Sequence, residues 1–390
     1  MSASIEESEP PTSPTTGLPV PPNLDHLVHL VPPGKLDEAI KQFERLGFAV
    51  EHGGVHADGL THNALIVLTD GVYIEIISFL DGPAKGRSKN ETETKDEWHK
   101  RRQAHWWWGK QVGWTDWCLE GGVKDGRVAS INERARSAEA VADGVVDSTT
   151  QHEGESTAYK QQLWATAAAY GAPTDHHRQE MEARQRAQPS LVRYDEPREG
   201  GRMALSGRKI RWKVTFPAGR REERGIVPFW CEDVTPRFWR VPLPSPHHPN
   251  KTQGLTSLTL LYHPETFSSR LSSLRLVLNN IAPPSSTAEE GGSLLTVPPP
   301  LVDGNKPAIP PEPVTLLIGT PEGPPLPVRV KAAEDPEELS WLAKYGEGLF
   351  EVEISVAPEM LPASAPPDGI ERETHAKGYG RLRLHPILRH

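Results

Sequence analysis

The most constraining stretch of this sequence is residues 24–80, where the hydrophobic pattern changes period in a fixed order. LDHLVHLVPP (24–33) predicts a strand that a proline pair ends. KLDEAIKQFERLGF (35–48) places apolar residues three and four apart, which predicts an amphipathic helix that Gly47 terminates. Three further strands are expected in FAVEH (48–52), HNALIVLT (62–69) and VYIEIISFL (72–80), the last two joined by a hairpin at Asp70-Gly71. A β-α-β-β-β module is therefore predicted over 23–81.

The same order recurs twice more with weaker patterning. A second, looser module is predicted over 113–245, with an insertion near 145–190 and a clearly alternating strand at KIRWKVTFP (209–217). A third, βα-type unit with a Pro-rich insertion is predicted over 254–358. The remaining segments are expected to be a disordered N-terminal tail (1–22), a linker (82–112) and a C-terminal tail (359–390). The predicted fold class is α+β, built from repeated βαβββ modules with Pro-rich linkers and disordered termini.

Composition limits the classes of function. The 390 residues include 39 prolines and 33 glycines, so part of the length is expected to be linker rather than core. The formal net charge of −9 provides no general attraction for nucleic acid. The sequence contains no run of about 18 apolar residues, so no membrane span is predicted. The N-terminal stretch lacks a signal-peptide pattern and the two cysteines are too few for a disulfide scaffold, so a cytoplasmic protein with reduced thiols is expected.

The first module also resembles a known family. LDHLVHLVP, the helix ending in ERLGF, and GGVHADGLTHNALIVLTDGVYIEIISFLD are similar to the glyoxalase-like branch of the vicinal oxygen chelate (glyoxalase/bleomycin resistance/dihydroxybiphenyl dioxygenase) superfamily. RWKVTFP, VPFWCED and HHPNKTQGLTSL extend the resemblance to roughly residues 24–262. The resemblance implies paired βαβββ modules that each form a half-barrel, with a cup for substrate or metal between them. In metal-dependent members, each module contributes one ligand from its first strand and one from its last.

Carried onto this chain, that pattern selects His26 on the first strand and Glu75 in YIEII as metal ligands and catalytic residues. Imidazole and carboxylate suit zinc, iron, nickel or manganese. The second module departs from the pattern, because GWTDWCLEG has no histidine and VPFWCED offers only Glu232 as a ligand. The alternatives are that Glu75 hydrogen-bonds His26 or a backbone amide with no metal present, or that Glu75 is exposed.

Other residues are candidates for ligand contact. His56 and His62 lie in and beside a Gly-rich loop that the resemblance places at the mouth of the cup, and Asn63 follows them; the alternative is exposed loop histidines. Tryptophans concentrate in the second module, where alternation along strands would turn some of them into the cup and others into the core. The tryptophans predicted to bind substrate are Trp114, Trp212 and Trp230.

The segment HKRRQAHWWWGK (99–110) mixes basic residues with three consecutive tryptophans. This combination can bind single-stranded nucleic acid by stacking. On an acidic chain the favoured interpretation is a linker between modules whose tryptophans pack on the barrel.

Three classes of function remain open: a metal-dependent lyase, isomerase or dioxygenase; a metal-free protein that binds or sequesters a ligand; and an enzyme in which His26 or Glu75 acts as general base. All three imply a small organic molecule as partner, and none implies nucleic acid or a membrane. The sequence predicts neither the substrate nor the oligomeric state.

Overall fold

The structure, a computed structural model, describes residues 20–82, 93–145, 191–204, 206–219, 223–243, 245, 247–278, 311–361, 370–373 and 381–386. Nearly all of the predicted N-terminal tail, the predicted insertion near 145–190 and most of the predicted Pro-rich insertion lie outside these residues. None of the described helices is long and apolar enough to cross a membrane.

The first module has the predicted element order, and the βαβββ prediction is confirmed. Its elements are β1 (Leu24–Val31), α1 (Leu36–Arg45), β2 (Glu51–Val55), β3 (Thr61–Val67) and β4 (Tyr73–Phe79). The helix buries one face through Leu36, Ala39, Ile40 and Phe43, as its apolar spacing predicts. It ends at Leu46, after which Gly47 adopts a φ of 83°, a left-handed conformation that favours glycine.

A helix, α2 (Lys95–Ala104), precedes the second module. The predicted linker over 82–112 therefore contains a helix. Two local features explain the helix. Thr94 and Glu97 form a reciprocal capping box at its start, and the fully buried Trp98 donates its indole N–H to Gly59 O at 3.2 Å. Helix α2 has no clear apolar stripe, and a single large side chain, Trp98, anchors it instead.

The second module repeats the order of the first. Its elements are β5 (Gly113–Glu120), α3 (Arg127–Val145), β6 (Arg198–Met203), β7 (Lys209–Thr215) and β8 (Phe229–Asp233), followed by the short helix α4 (Arg237–Arg240). The eight strands form one sheet in the order β2-β3-β4-β1-β5-β8-β7-β6, in which β1 and β5 pair antiparallel. A bridge between His56 and Arg202 and a hydrogen bond from Ala57 N to Gly201 O (2.8 Å) join its two edges. The sheet is thus nearly closed into a barrel.

Two β-bulges in the central β1–β5 pair decide which side chains face inward. Leu24 pairs with Leu119 and His26 with Cys118, so Asp25 is an extra residue in β1. Val28 pairs with Asp116 and His29 with Trp114, so Thr115 is an extra residue in β5. Each bulge reverses the alternation of side chains along its strand.

A second sheet completes the fold. Its elements are β9 (Leu255–Tyr262), α5 (Phe267–Leu278), β10 (Val314–Ile318), β11 (Leu326–Ala332), α6 (Pro336–Tyr345), β12 (Gly348–Val356), β13 (Ile370–Glu373) and β14 (Arg381–Pro386). The strand order is β10-β11-β9-β12-β14-β13. The predicted tail over 359–390 was wrong for β13 and β14, because both strands pair in this sheet and β14 runs parallel to β12.

The largest hydrophobic core lies between the outer face of the first sheet and the second sheet. One continuous cluster joins Leu27 and Ile76 of the first sheet to Leu258 and Val352 of the second. Hydrogen bonds cross the interface: Tyr262 Oη donates to Ile226 O at 2.6 Å, and Trp114 Nε1 donates to Arg381 O at 2.9 Å. This packing leaves the inner face of the first sheet to enclose a cavity.

Candidate functional site

The inner face of the eight-stranded sheet encloses a cavity of about 250 Å³, which we call the cup. One part of its wall is apolar and aromatic, with Trp106, Trp107, Trp212, Val214, Phe216 and Phe229. Another part is polar, with His26, His56, Asn63, Tyr73, Glu75, Arg202 and Arg240. The polar side chains come from β1, the β2–β3 hairpin, β4, β6 and α4, so the site exists only after both modules have folded.

Glu75 lies at the centre of the polar part. Its carboxylate accepts a hydrogen bond from Asn63 Nδ2 at 2.6 Å. His26 Nε2 lies 3.7 Å and His56 Nε2 3.5 Å from its two oxygens. Burial raises the pKa of Glu75, but the hydrogen bonds and charges of His56, His26 and Asn63 outweigh burial and lower the pKa to about 2. Glu75 is therefore ionised at neutral pH.

His26 is oriented by a second carboxylate. Its Nδ1 lies 2.9 Å from Asp25 Oδ2. Burial raises the pKa of Asp25, but the adjacent Arg240 and Arg237 hold it well below its usual range. An ionised carboxylate can only accept, so His26 Nδ1 carries the hydrogen. Nε2 is then the nitrogen that faces the cup, 3.7 Å from Glu75.

Asp25 belongs to a buried network of charges beneath the cup. Arg240 donates to Asp25 at 2.8 Å, to Asp233 at 2.7 Å and to Tyr73 Oη at 2.7 Å, and Arg237 also pairs with Asp25. Every one of these charges has an opposite charge beside it. Because removing one member would leave another charge buried and unpaired, the network fixes the position of His26.

The segment between α2 and β5 covers the aromatic part of the cup. Trp106 packs against Phe216 with ring centres 4.7 Å apart. Trp107 donates its indole N–H to Asp116 Oδ2 at 3.0 Å. The interpretation that the three tryptophans pack on the barrel agrees with these contacts.

Comparison with known proteins decides the family. The family described as "Glyoxalase-like domain" matches residues 24–274, which include both modules and the start of the second sheet. The chain belongs to this glyoxalase-like family. No curated protein matches the chain.

Solved structures show distant similarity to this glyoxalase-like chain. A hypothetical protein from Staphylococcus aureus is 12% identical with a TM-score of 0.46, covering 94% of this chain and 99% of its own. A xylose isomerase-like TIM barrel/4-hydroxyphenylpyruvate dioxygenase fusion protein is 10% identical (TM-score 0.30; 89% and 39% covered). A triple mutant of 4-hydroxymandelate synthase from Streptomyces coelicolor is 9% identical (TM-score 0.35; 87% and 72% covered). At such values we base no functional conclusion on them.

The structure brings five of the predicted site residues together in the cup: His26, His56, Asn63, Glu75 and Trp212. Strand alternation places His62 on the opposite face from Asn63, where Asp37 and Asp81 are its charged neighbours and burial lowers its pKa. His62 therefore does not line the cup.

Trp114, Trp230 and Glu232 also lie outside the cup, contrary to prediction. The bulge at Thr115 turns Trp114 outward against His29, with ring centres 4.7 Å apart. In β8, Phe229 and Cys231 line the cup, so the intervening Trp230 is buried in the outer core. Glu232 faces outward as well and accepts a hydrogen bond from Lys124 N at 2.7 Å.

Sequence reasoning missed several polar residues of the cup. Arg202 and Arg240 line the cup but lie about 175 to 215 residues after His26, at chain positions that carry no strand-end or histidine signal. Asp25, beneath the cup, turns inward only because of its bulge. One signal was available: Arg237 and Arg240 flank an apolar pair directly after the last strand of the module. Two arginines beside a predicted barrel end indicate buried carboxylate partners.

The residues of the second module do not fit a metal site shared between modules. Facing the inside of the barrel, β5 offers Asp116 and Cys118, and β8 offers Phe229 and Cys231. Asp116 is held by Trp107 Nε1 and Trp117 N, and Phe229 has no ligand atom. Within the first module, His26, Glu75 and His56 do not bring one ligand atom each within 4.8 Å of one another.

One group of described residues does meet that distance: Asp25, Cys118 and Cys231. The two guanidinium groups of Arg237 and Arg240 already neutralise Asp25. Burial raises the pKa of the Cys118 thiol well above its usual value, so the thiol is protonated in the metal-free protein. Because both guanidinium groups already neutralise Asp25, we interpret this cluster as part of the packed base beneath the cup, which only Cys231 of the three lines.

Proposed function

We propose that the cup binds a small organic molecule with an apolar body, and that His26, His56 and Glu75 exchange a proton with it without a metal. The observation that carries this proposal is the ionised, buried Glu75 between two imidazoles at the polar part of a largely aromatic cavity. Buried titratable groups with strongly perturbed pKa values in a cleft are typical of functional sites.

The dimensions and chemistry of the cup support binding. A cavity of about 250 Å³ holds a molecule of roughly ten to fifteen non-hydrogen atoms. Trp212 is half-buried and stands edge-on to His56 with ring centres 5.8 Å apart, so it separates the apolar wall from the polar part. A bound molecule would place its apolar body on the tryptophans and a polar group near Glu75.

The polar part supports proton transfer. Imidazole is the side chain whose protonation changes near neutral pH, while Glu75 with a pKa of about 2 remains an anion that stabilises an adjacent imidazolium. Asp25 orients His26 and Thr61 Oγ1 lies 2.8 Å from His56 Nδ1, so each imidazole has one anchored and one free nitrogen. This arrangement suits general acid-base chemistry.

A second candidate is a metal-dependent lyase, isomerase or dioxygenase. The adjacency of His26 and Glu75, one from the first and one from the last strand of their module, favours it. Zinc, iron, nickel or manganese would be the candidate ion. Because the second module does not offer a suitable pair of metal ligands, this is the weaker of the two functions.

Metal analysis of protein purified without chelators separates the two candidates. We expect substoichiometric metal in the wild type. Stoichiometric metal that both Glu75→Gln and His26→Ala remove would support the metal enzyme and overturn the metal-free proposal.

Ligand binding is tested with 3-phenylpropanol, a neutral probe of suitable size, by thermal shift and tryptophan quenching. We expect binding that Trp212→Ala weakens at least tenfold, since loss of an aromatic anchor costs about 2 kcal/mol. Trp341→Ala, which removes the same residue type from helix α6 of the C-terminal unit, should leave the affinity unchanged. Absence of binding to the wild type, or equal binding by Trp212→Ala, would contradict the proposal.

A further inference from the structure

Arg202 is a buried cation in the cup without a carboxylate partner. Its side chain is 7% exposed and lines the cavity from β6. It donates to two backbone carbonyls, Gly53 O at 2.8 Å and Arg240 O at 3.3 Å. Among the described residues, no carboxylate oxygen lies within 4.0 Å of its guanidinium group.

The other arginines near the cup are paired. Arg240 and Arg237 share Asp25 and Asp233, so their charges are neutralised locally. Burial and the neighbouring Arg240 lower the pKa of Arg202, and Tyr73, Glu75 and Glu51 oppose this only through longer-range attraction. Burying an unpaired charge destabilises a fold, so retention of Arg202 at this position needs a reason beyond packing.

Arg202 is also held in place. It lies at the seam where the two edges of the barrel meet, bridged to His56 and next to the hydrogen bond from Ala57 N to Gly201 O. Its two carbonyl contacts occupy part of its five-donor fork and leave donors for an anion. A preorganised guanidinium loses little side-chain entropy when it binds a carboxylate.

We propose that Arg202 binds the carboxylate of the cup's ligand, so that the ligand is a small organic acid with an apolar or aromatic body. The inference rests on the proposed function, since it names the class of molecule for the same cup. A single carboxylate matches one free guanidinium. A phosphate dianion fits less well, because the ionised Glu75 shares the cavity and Arg202 is the unpaired cation among the described residues that line it.

The test compares 3-phenylpropanoate with 3-phenylpropanamide, which has nearly the same shape but no charge, by calorimetry and thermal shift. On the wild type we expect the acid to bind at least about tenfold more tightly than the amide. Arg202→Gln should abolish this preference and leave amide binding within about threefold. Arg202→Lys should retain part of it. Lys209→Gln, which removes an exposed positive charge on the neighbouring strand, should change neither ligand's affinity.

The outcomes separate this inference from the proposed function. If the amide and 3-phenylpropanol bind but the acid has no advantage on the wild type, the cup binds ligands and the role of Arg202 is wrong. If the preference for the acid survives Arg202→Gln, another group recognises the carboxylate and the inference is overturned. If none of the three probes binds, the proposed function fails and this inference fails with it. If Arg202→Gln does not fold, Arg202→Lys takes its place: a reduced preference for the acid supports the inference, and an unchanged preference overturns it.

Discussion

At the scale of single residues, the cup depends on how burial and charge are balanced at each carboxylate. Glu75 and Asp116 are both buried acids on inner-facing strand positions, yet their pKa values move in opposite directions. Two imidazoles and an amide surround Glu75. Asp116 accepts two N–H groups but has only distant cations, so burial dominates and raises its pKa to about 6.

Glu75→Gln should make the stability of the protein less dependent on pH in acid. A carboxyl whose folded pKa is about 2 and whose unfolded value is 4.5 stabilises the fold fully above 4.5, and loses that contribution as pH falls towards 2. The stability difference between wild type and variant should therefore grow between pH 2 and 5, by on the order of 3 kcal/mol. Urea unfolding at several pH values measures it, and a constant difference would contradict the expectation.

Asp116→Asn should show the opposite trend and serves as the matched carboxyl-to-amide change. A folded pKa raised from 3.8 to about 6 stabilises the fold below 3.8 and loses that contribution as pH rises through 6. Relative to the wild type, the free energy of unfolding of Asp116→Asn should rise by roughly 3 kcal/mol between pH 4 and 7. If both variants follow the same trend in the same urea series, the assignment of the two carboxyl groups is wrong.

At the scale of elements, strand irregularities and one buried side chain decide what surrounds the cup. The bulge at Asp25 turns this residue towards the arginines of α4 and its neighbour His26 into the cavity. Helix α2 is amphipathic only in part, and its attachment depends on Trp98, which also lies 5.2 Å from the guanidinium of Arg102. The covering tryptophans follow directly after this helix.

Trp98→Ala should detach α2 and weaken the cover of the cup. Removal of a fully buried tryptophan costs about 3 to 5 kcal/mol of unfolding free energy, here measured by urea denaturation. Affinity for 3-phenylpropanol should fall as well, because Trp106 and Trp107 lose their support. Phe238→Ala, at a side chain that is 64% exposed, is the control and should cost less than about 0.5 kcal/mol. A similar cost for both variants would show that α2 does not depend on Trp98.

At the scale of the whole molecule, the two sheets share one core, so the outer face of the barrel is buried by the second sheet. Val352 and Leu258 pack in the same cluster as Leu27 and Ile76. Neither sheet can bury its apolar face alone.

We therefore expect both sheets to unfold together. Leu260→Ala, in the second sheet, should lower stability by about 2 to 5 kcal/mol and shift the unfolding of the barrel by the same amount. With 5-fluorotryptophan, the ¹⁹F signals of Trp212 in the barrel and Trp341 in helix α6, which packs on the second sheet, should follow one urea transition before and after the substitution. Two separate transitions would show independent units and contradict the shared core.

The sequence by itself determined the elements of the first module, because period-2 and period-3.6 patterns and glycine signals such as Gly47 act over a few residues. The resemblance to the glyoxalase-like family selected His26, Glu75 and His56, with Asn63 beside them, and alternation along β7 selected Trp212. All five line the cup. Sequence reasoning failed for Trp114, where the bulge at Thr115 reverses the alternation, and for α2, where one anchored tryptophan replaces periodicity.

Only the tertiary structure decided the rest of the cup. Arg240 reaches Asp25, 215 positions earlier, through the short helix after β8. Arg202 reaches the cup through closure of the sheet, where it donates to Gly53 O, 149 positions earlier. Charge pairs between residues this far apart along the chain leave no pattern in the local sequence. The strands after residue 359 were missed for the same reason, because Leu382 and Leu384 become core residues only where β12 provides a parallel partner.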